Sequence, residues 1–120
     1  MSKAIGLMTF ILVALACDAA AAKCHVPLIR TLNNQTVTGY MWADSGRTCH
    51  IRLQSSSGPT HAAQIIQPAS NGTVHVAGNS IVYRSRANFV GRDNFTYARR
   101  GMDRQNNAVV RTVQVVVEVK

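Results

Sequence analysis

From residue 36 onward, apolar and polar residues alternate with a period of two through most of the chain, a pattern that predicts strands and not helices. Strands are predicted over residues 36–42, 48–53, 62–66, 73–77, 80–84, 94–99 and 108–119. A short apolar opening strand is predicted over 26–32, with Pro27 suited to an edge. Asn33-Asn34, Asp44-Ser45-Gly46 and the 55–59 run of serines, glycine and proline mark turns and loops. Asn71-Gly72 reads as a tight hairpin turn, because both residues tolerate positive φ. Short strands separated by turn signals about every ten residues predict an all-β sandwich.

The final segment is the longest. Val113, Val115, Val117 and Val119 share one face and are the expected core contribution, with Arg111 interrupting the same register. A strand so rich in valine must pair or become an aggregation hazard, and antiparallel pairing with 94–99 is expected.

The first 22 residues follow a different pattern. Lys3 precedes an apolar run over 5–16 broken only by Gly6 and Thr9, and Ala20 and Ala22 supply small residues before Lys23. This predicts a signal-peptide helix over 1–22 and a single domain over 23–120. The run is too short to span a membrane, which takes roughly 20 apolar residues, so no transmembrane span is expected in the mature chain. Cleavage near Ala22 makes the protein secreted or periplasmic. A lipoprotein anchored through Cys17 is the weaker reading, since Ala14 and Leu15 depart from the usual pattern before a lipidated cysteine. Of three cysteines, Cys24 and Cys49 remain after Cys17 is removed, and an oxidising compartment makes a Cys24–Cys49 disulfide the expected state.

One stretch carries more than periodicity. It contains Pro68, Asn71-Gly72, Tyr83 and then Phe89-x-Gly91-x-Asp93-x-Phe95-x-Tyr97, followed by the valine strand. In this order it resembles the bacterial immunoglobulin-like (cadherin-like) repeat domains of cell-surface and adhesin proteins. The resemblance implies an immunoglobulin-like antiparallel β-sandwich of about seven strands, with a binding or structural role. It also implies that Pro68 and Gly72 shape a turn and that Asp93 caps the turn into the penultimate strand. Gly91 is expected to take a conformation closed to residues with a Cβ. Phe89, Phe95 and Tyr97 are expected in the core. Ser85 stands where the family carries a proline after Tyr83. The acids of the domain, Asp44, Asp93, Asp103 and Glu118, are too few for the calcium sites such repeats often bear.

Charge is the other informative property. Thirteen Lys and Arg against five Asp and Glu give a net charge of +8, and most of the cations are arginines, whose planar forks suit phosphate, sulfate and carboxylate. Arg84, Arg86, Arg99 and Arg100 come from segments that could neighbour one another and form a polyanion-binding patch. His25 and His50 follow the two cysteines, but adjacent strand residues face opposite sides, so no metal site is expected. No cofactor motif, phosphate loop or catalytic constellation is present. The expected function is an exported non-enzymatic module that binds an envelope polysaccharide, lipopolysaccharide or another envelope protein, with no cytoplasmic nucleic acid as partner. The alternative is a purely structural envelope protein whose charge only keeps it soluble.

Overall fold

The computed structural model describes residues 23–53 and 60–120, and there the alternating segments become strands. These are β1 (Cys24–His25), β2 (Thr36–Ala43), β3 (Thr48–Arg52), β4 (Thr60–Gln67), β5 (Gly72–Ala77), β6 (Ser80–Ser85), β7 (Gly91–Met102) and β8 (Ala108–Val119). They form two sheets, a five-stranded one in the order β1-β2-β8-β7-β4 and a three-stranded one in the order β3-β6-β5. The fold is all-β among the described residues. The predicted signal helix and the 55–59 loop lie outside them.

Period-two alternation sets the core. Met41, Phe95, Tyr97, Val113, Val115, Val117 and Val119 from the larger sheet pack with Cys49, Ile51, Ile81 and Tyr83 from the smaller one in a single buried cluster. Every second residue of β8 turns inward, so one long valine strand supplies the centre of that cluster. β7 and β8 pair antiparallel over their full length. The Tyr83 and Phe95 rings stack across the two sheets with centroids 5.7 Å apart. Cys24 on the edge of the larger sheet and Cys49 on the edge of the smaller one are joined by a disulfide, with Cα atoms 5.4 Å apart. His25 and His50 are exposed.

Four expectations are corrected. First, 26–32 is not a strand, and only Cys24–His25 pairs with β2. Pro27 has no N–H for a ladder, and Val26 and Ile29, three apart, pack on the core instead. The Ile29 side chain occupies the space beside Gly39, where a Cβ would lie 2.7 Å from Cδ1. Second, the pairing is not wholly antiparallel, because β2 runs parallel to β8. These are the first long strand and the last, so the whole intervening chain serves as the crossover that a parallel pair requires.

Third, Asn71-Gly72 is not a hairpin turn. The two-residue hairpin lies at the other end of β5, where Gly78-Asn79 joins Ala77 to Ser80 and Gly78 has φ +56°. A glycine with positive φ at the first central position fits the primed turns that match strand twist. Fourth, Arg111 does not interrupt the inner face of β8. It lies on that face and is 1% exposed.

Candidate anion-binding cleft

Asn71 and Gly72 instead form the corner where the chain passes from β4 in one sheet to β5 in the other. Asp93, on β7 and only 1% exposed, organises that corner. Its Oδ1 accepts the Ser70 N–H at 3.0 Å and the Asn94 N–H at 2.8 Å. Its Oδ2 accepts the Asn71 N–H at 3.1 Å and the Tyr83 hydroxyl at 2.8 Å. A buried carboxylate is tolerable here because every lone-pair direction meets a donor. Burial, followed by the Asp93 bond and its negative charge, pushes the Tyr83 hydroxyl well above the ordinary tyrosine range.

Gly72 then brings β5 tightly against the end of β6. An ideal Cβ there would run into the Arg84 carbonyl oxygen and lie 2.8 Å from Ser85 Cα, so the position needs glycine for closeness and not for positive φ. Gly91, at the start of β7, has φ +142°, which L side chains rarely adopt.

Above this corner lies an open cleft of about 420 Å³, lined by residues 70–73 on one side and 84–87 on the other. Two of its lining residues are exposed arginines. Arg84 Nε donates to the Gly46 carbonyl at 2.9 Å, and the Arg86 guanidinium lies 5.3 Å from the centroid of the Phe89 ring. Both contacts orient a guanidinium without neutralising it. Ser85, 2% exposed, accepts the Gly46 N–H through Oγ at 2.8 Å and donates to the Arg86 carbonyl at 3.1 Å. The turn over 44–47 is thereby fastened to the end of β6. Among the described residues no carboxylate lines the cleft, and Asp93 beneath it is saturated by its own donors.

The four arginines expected as one patch are split. Arg84 and Arg86 meet here. Arg99 is six residues along β7 from Asp93, roughly 20 Å at strand rise, and is 6% exposed. It faces Arg111 across the β7–β8 ladder on the inner side. Its Nη2 donates to Thr31 Oγ1 at 3.2 Å, and Arg111 Nε donates to Asn33 Oδ1 at 3.0 Å. Burial holds the Arg99 guanidinium below its ordinary pKa, with Tyr97 opposing that and Arg111 adding to it. Arg100 takes the opposite face of β7, beside a shallow apolar groove with Ile66, Ala98 and Val110. Adjacent residues on one strand cannot serve one surface, which is why Arg99 and Arg100 separate. Arg92 is held by Glu118 at 2.6 Å.

Of the remaining motif residues, Phe95 and Tyr97 are buried, Phe89 packs partly buried against the core, and Pro68 sits exposed just before the corner. Sequence reasoning missed the roles of Gly46, Ser85 and the Arg86–Phe89 stack. It also missed an exposed aromatic group on the outer face, where His25 and Trp42 lie 5.7 Å apart and Tyr40 is 52% exposed. The signal for that group was present, since Tyr40 and Trp42 have the parity opposite to buried Met41 and Ala43.

No protein-family model and no curated protein matches the chain. Among solved structures, a sialyltransferase from Photobacterium damsela superposes with a TM-score of 0.41 and 9% identity over 71% of this chain. The chain spans only 18% of that protein's length, too slight a likeness to inform fold or function.

Proposed function

We propose that the chain is an exported, non-enzymatic immunoglobulin-like module that binds an anionic component of the bacterial envelope through the Arg84–Arg86 cleft. One observation carries the reading: two exposed arginines, each held by an uncharged neighbour, line the cleft, with no carboxylate among the described lining residues. Strand order supports the fold name. β3-β6-β5 opposes β8-β7-β4 as strands B-E-D oppose G-F-C in immunoglobulin domains, with the first long strand, β2, paired to the last, β8. A disulfide joining the two sheets suits an oxidising compartment. Phosphate, sulfate and carboxylate groups of lipopolysaccharide or acidic polysaccharide match the planar donor forks.

Binding of the purified domain to lipopolysaccharide and to acidic polysaccharide, titrated with salt, tests this. Affinity is expected to fall steeply as salt rises, and to fall further in the Arg84→Ala/Arg86→Ala double variant with the fold intact. Salt-independent binding, or binding indifferent to both substitutions, would remove the cleft as the site. Absence of binding to either polymer would favour the structural envelope protein with no specific ligand.

A further inference from the structure

We propose that two copies of this chain join edge to edge through β5, antiparallel about a two-fold axis at His75. β5 is the outer strand of the three-stranded sheet, and among the described residues only β6 pairs with it. Its hydrogen-bonding parity follows from the hairpin. Ala77 and Ser80 flank a two-residue loop, so they exchange hydrogen bonds, and residues of odd number along β5 face β6. The Arg86 N–H donating to the Asn71 carbonyl at 2.9 Å agrees with that parity. The N–H and C=O groups of Gly72, Val74 and Val76 therefore point outward, away from the sheet.

This edge lacks the devices that normally blunt one. Gly72–Ala77 contains no proline, no lysine, arginine or carboxylate, and no register shift against β6. β4, the neighbouring edge of the larger sheet, is broken by two register shifts. On the opposite flank, β1 has two residues and is tied to β3 by the disulfide.

A second copy fits this edge because an antiparallel strand edge is self-complementary, as a two-fold interface requires. Only outward-facing residues can exchange bonds, so Val74 meets Val76 of the second copy and Gly72 meets Gly78 of the second copy. That register uses the whole edge and sets His75 against its own equivalent in a pair without hydrogen bonds, where side chains come closest. Each molecule carries +8, so copies repel over most of their surface but meet here along an uncharged strand. The cleft arginines lie at the Gly72 end, so the seam holds two clefts at opposite ends, roughly 20 Å apart at strand rise.

Sedimentation velocity over a concentration series, at low and high salt, tests the proposal. Dimer is expected to increase with concentration and with salt, since screening relieves repulsion between like-charged copies. His75→Glu and His75→Lys each place like charges opposite one another and should weaken association about tenfold or more. An equimolar mixture of the two variants should dimerise again, because opposite charges then face across the seam. His75 is exposed, so at concentrations where the wild type is monomeric both variants should keep its melting temperature. A wild-type protein that stays monomeric throughout overturns the proposal, as do single variants that still dimerise or a mixture that stays monomeric. If one variant fails to fold, the wild-type series and the other variant still decide.

Discussion

The Tyr83 hydroxyl donates a 2.8 Å hydrogen bond to Asp93 Oδ2 across the two sheets. The same carboxylate accepts three backbone N–H groups, so one acid holds together the corner that bears the cleft. Asp93→Ala leaves the Tyr83 hydroxyl and the corner N–H groups without their acceptor, at a cost of about 3 kcal/mol or more. Tyr83→Phe removes one donor and leaves Asp93 its backbone partners, at about 1 kcal/mol. Urea denaturation of both variants measures this, and equal small effects would show that Asp93 does not organise the corner.

Alkaline pH should unfold the domain through the same interior. Burial pushes the Tyr97 hydroxyl up to about 12 despite the nearby Arg99 guanidinium, and Tyr83 is raised as well. Unfolded tyrosines ionise near pH 10, so the native state keeps protons that the unfolded chain releases. Stability from these groups is complete below about pH 10 and declines above it, until Tyr97 itself ionises at about 12. Melting temperature is expected to drop steadily over that range, and less steeply in Tyr97→Phe. An identical slope in the variant would contradict the assignment.

The disulfide closes a loop with a sequence separation of 25 and couples the sheets at one flank. Its removal is expected to cost about 3 kcal/mol on the chain-entropy account, or a fall in melting temperature of roughly 10–20 °C for a domain this size. Alkylation of the non-reduced protein should label neither Cys24 nor Cys49, and comparison with the reduced protein by differential scanning calorimetry gives the loss.

Strand positions were legible because burial on one face imposes a period of two, and β8 with its inward valines is the clearest case. The disulfide was legible because only two cysteines follow the predicted leader. The antiparallel pairing of β8 with β7 was legible too, but the other partner of β8 was not. Nothing in the local sequence says that β2 will lie parallel to β8, a pairing fixed by the closure of the whole sheet. The Asn-Gly rule failed at Asn71-Gly72 because the Asp93 carboxylate, about twenty residues away, captures the Ser70 and Asn71 N–H groups and makes a corner where a local rule expects a hairpin. Arg86 and Phe89 advertised their stack only through a three-residue spacing that many loops share.

Arg99 and Arg84 now differ sharply in what their loss should do. Arg99 is 6% exposed and bonded to Thr31, so Arg99→Ala should cost about 2 kcal/mol or more through lost packing and a broken polar contact. Arg84 is exposed, and Arg84→Ala should stay within about 0.5 kcal/mol while weakening polyanion binding. Denaturation midpoints and binding isotherms of the pair check this. A destabilised Arg84→Ala beside a neutral Arg99→Ala would invert the placement of the two residues.

Processing before Lys23 should leave a chemical trace on the fold. The Lys23 N–H donates to Asp44 Oδ2 at 2.8 Å, and the Asp44 N–H donates back to the Lys23 carbonyl at 3.1 Å. In the exported form proposed above, hydrolysis of the Ala22–Lys23 bond turns that amide N–H into an α-ammonium, and the hydrogen bond to Asp44 becomes an ion pair. An exposed pair of this kind contributes about 0.5–1 kcal/mol and is screened by salt. A domain starting at Lys23 is therefore expected to be more stable by that amount than the same domain with a blocked or extended N-terminus. The difference should vanish in Asp44→Asn and shrink at high salt. Intact mass of the protein from envelope extracts should begin at Lys23, and an acylated species beginning at Cys17 would replace this route with lipoprotein anchoring.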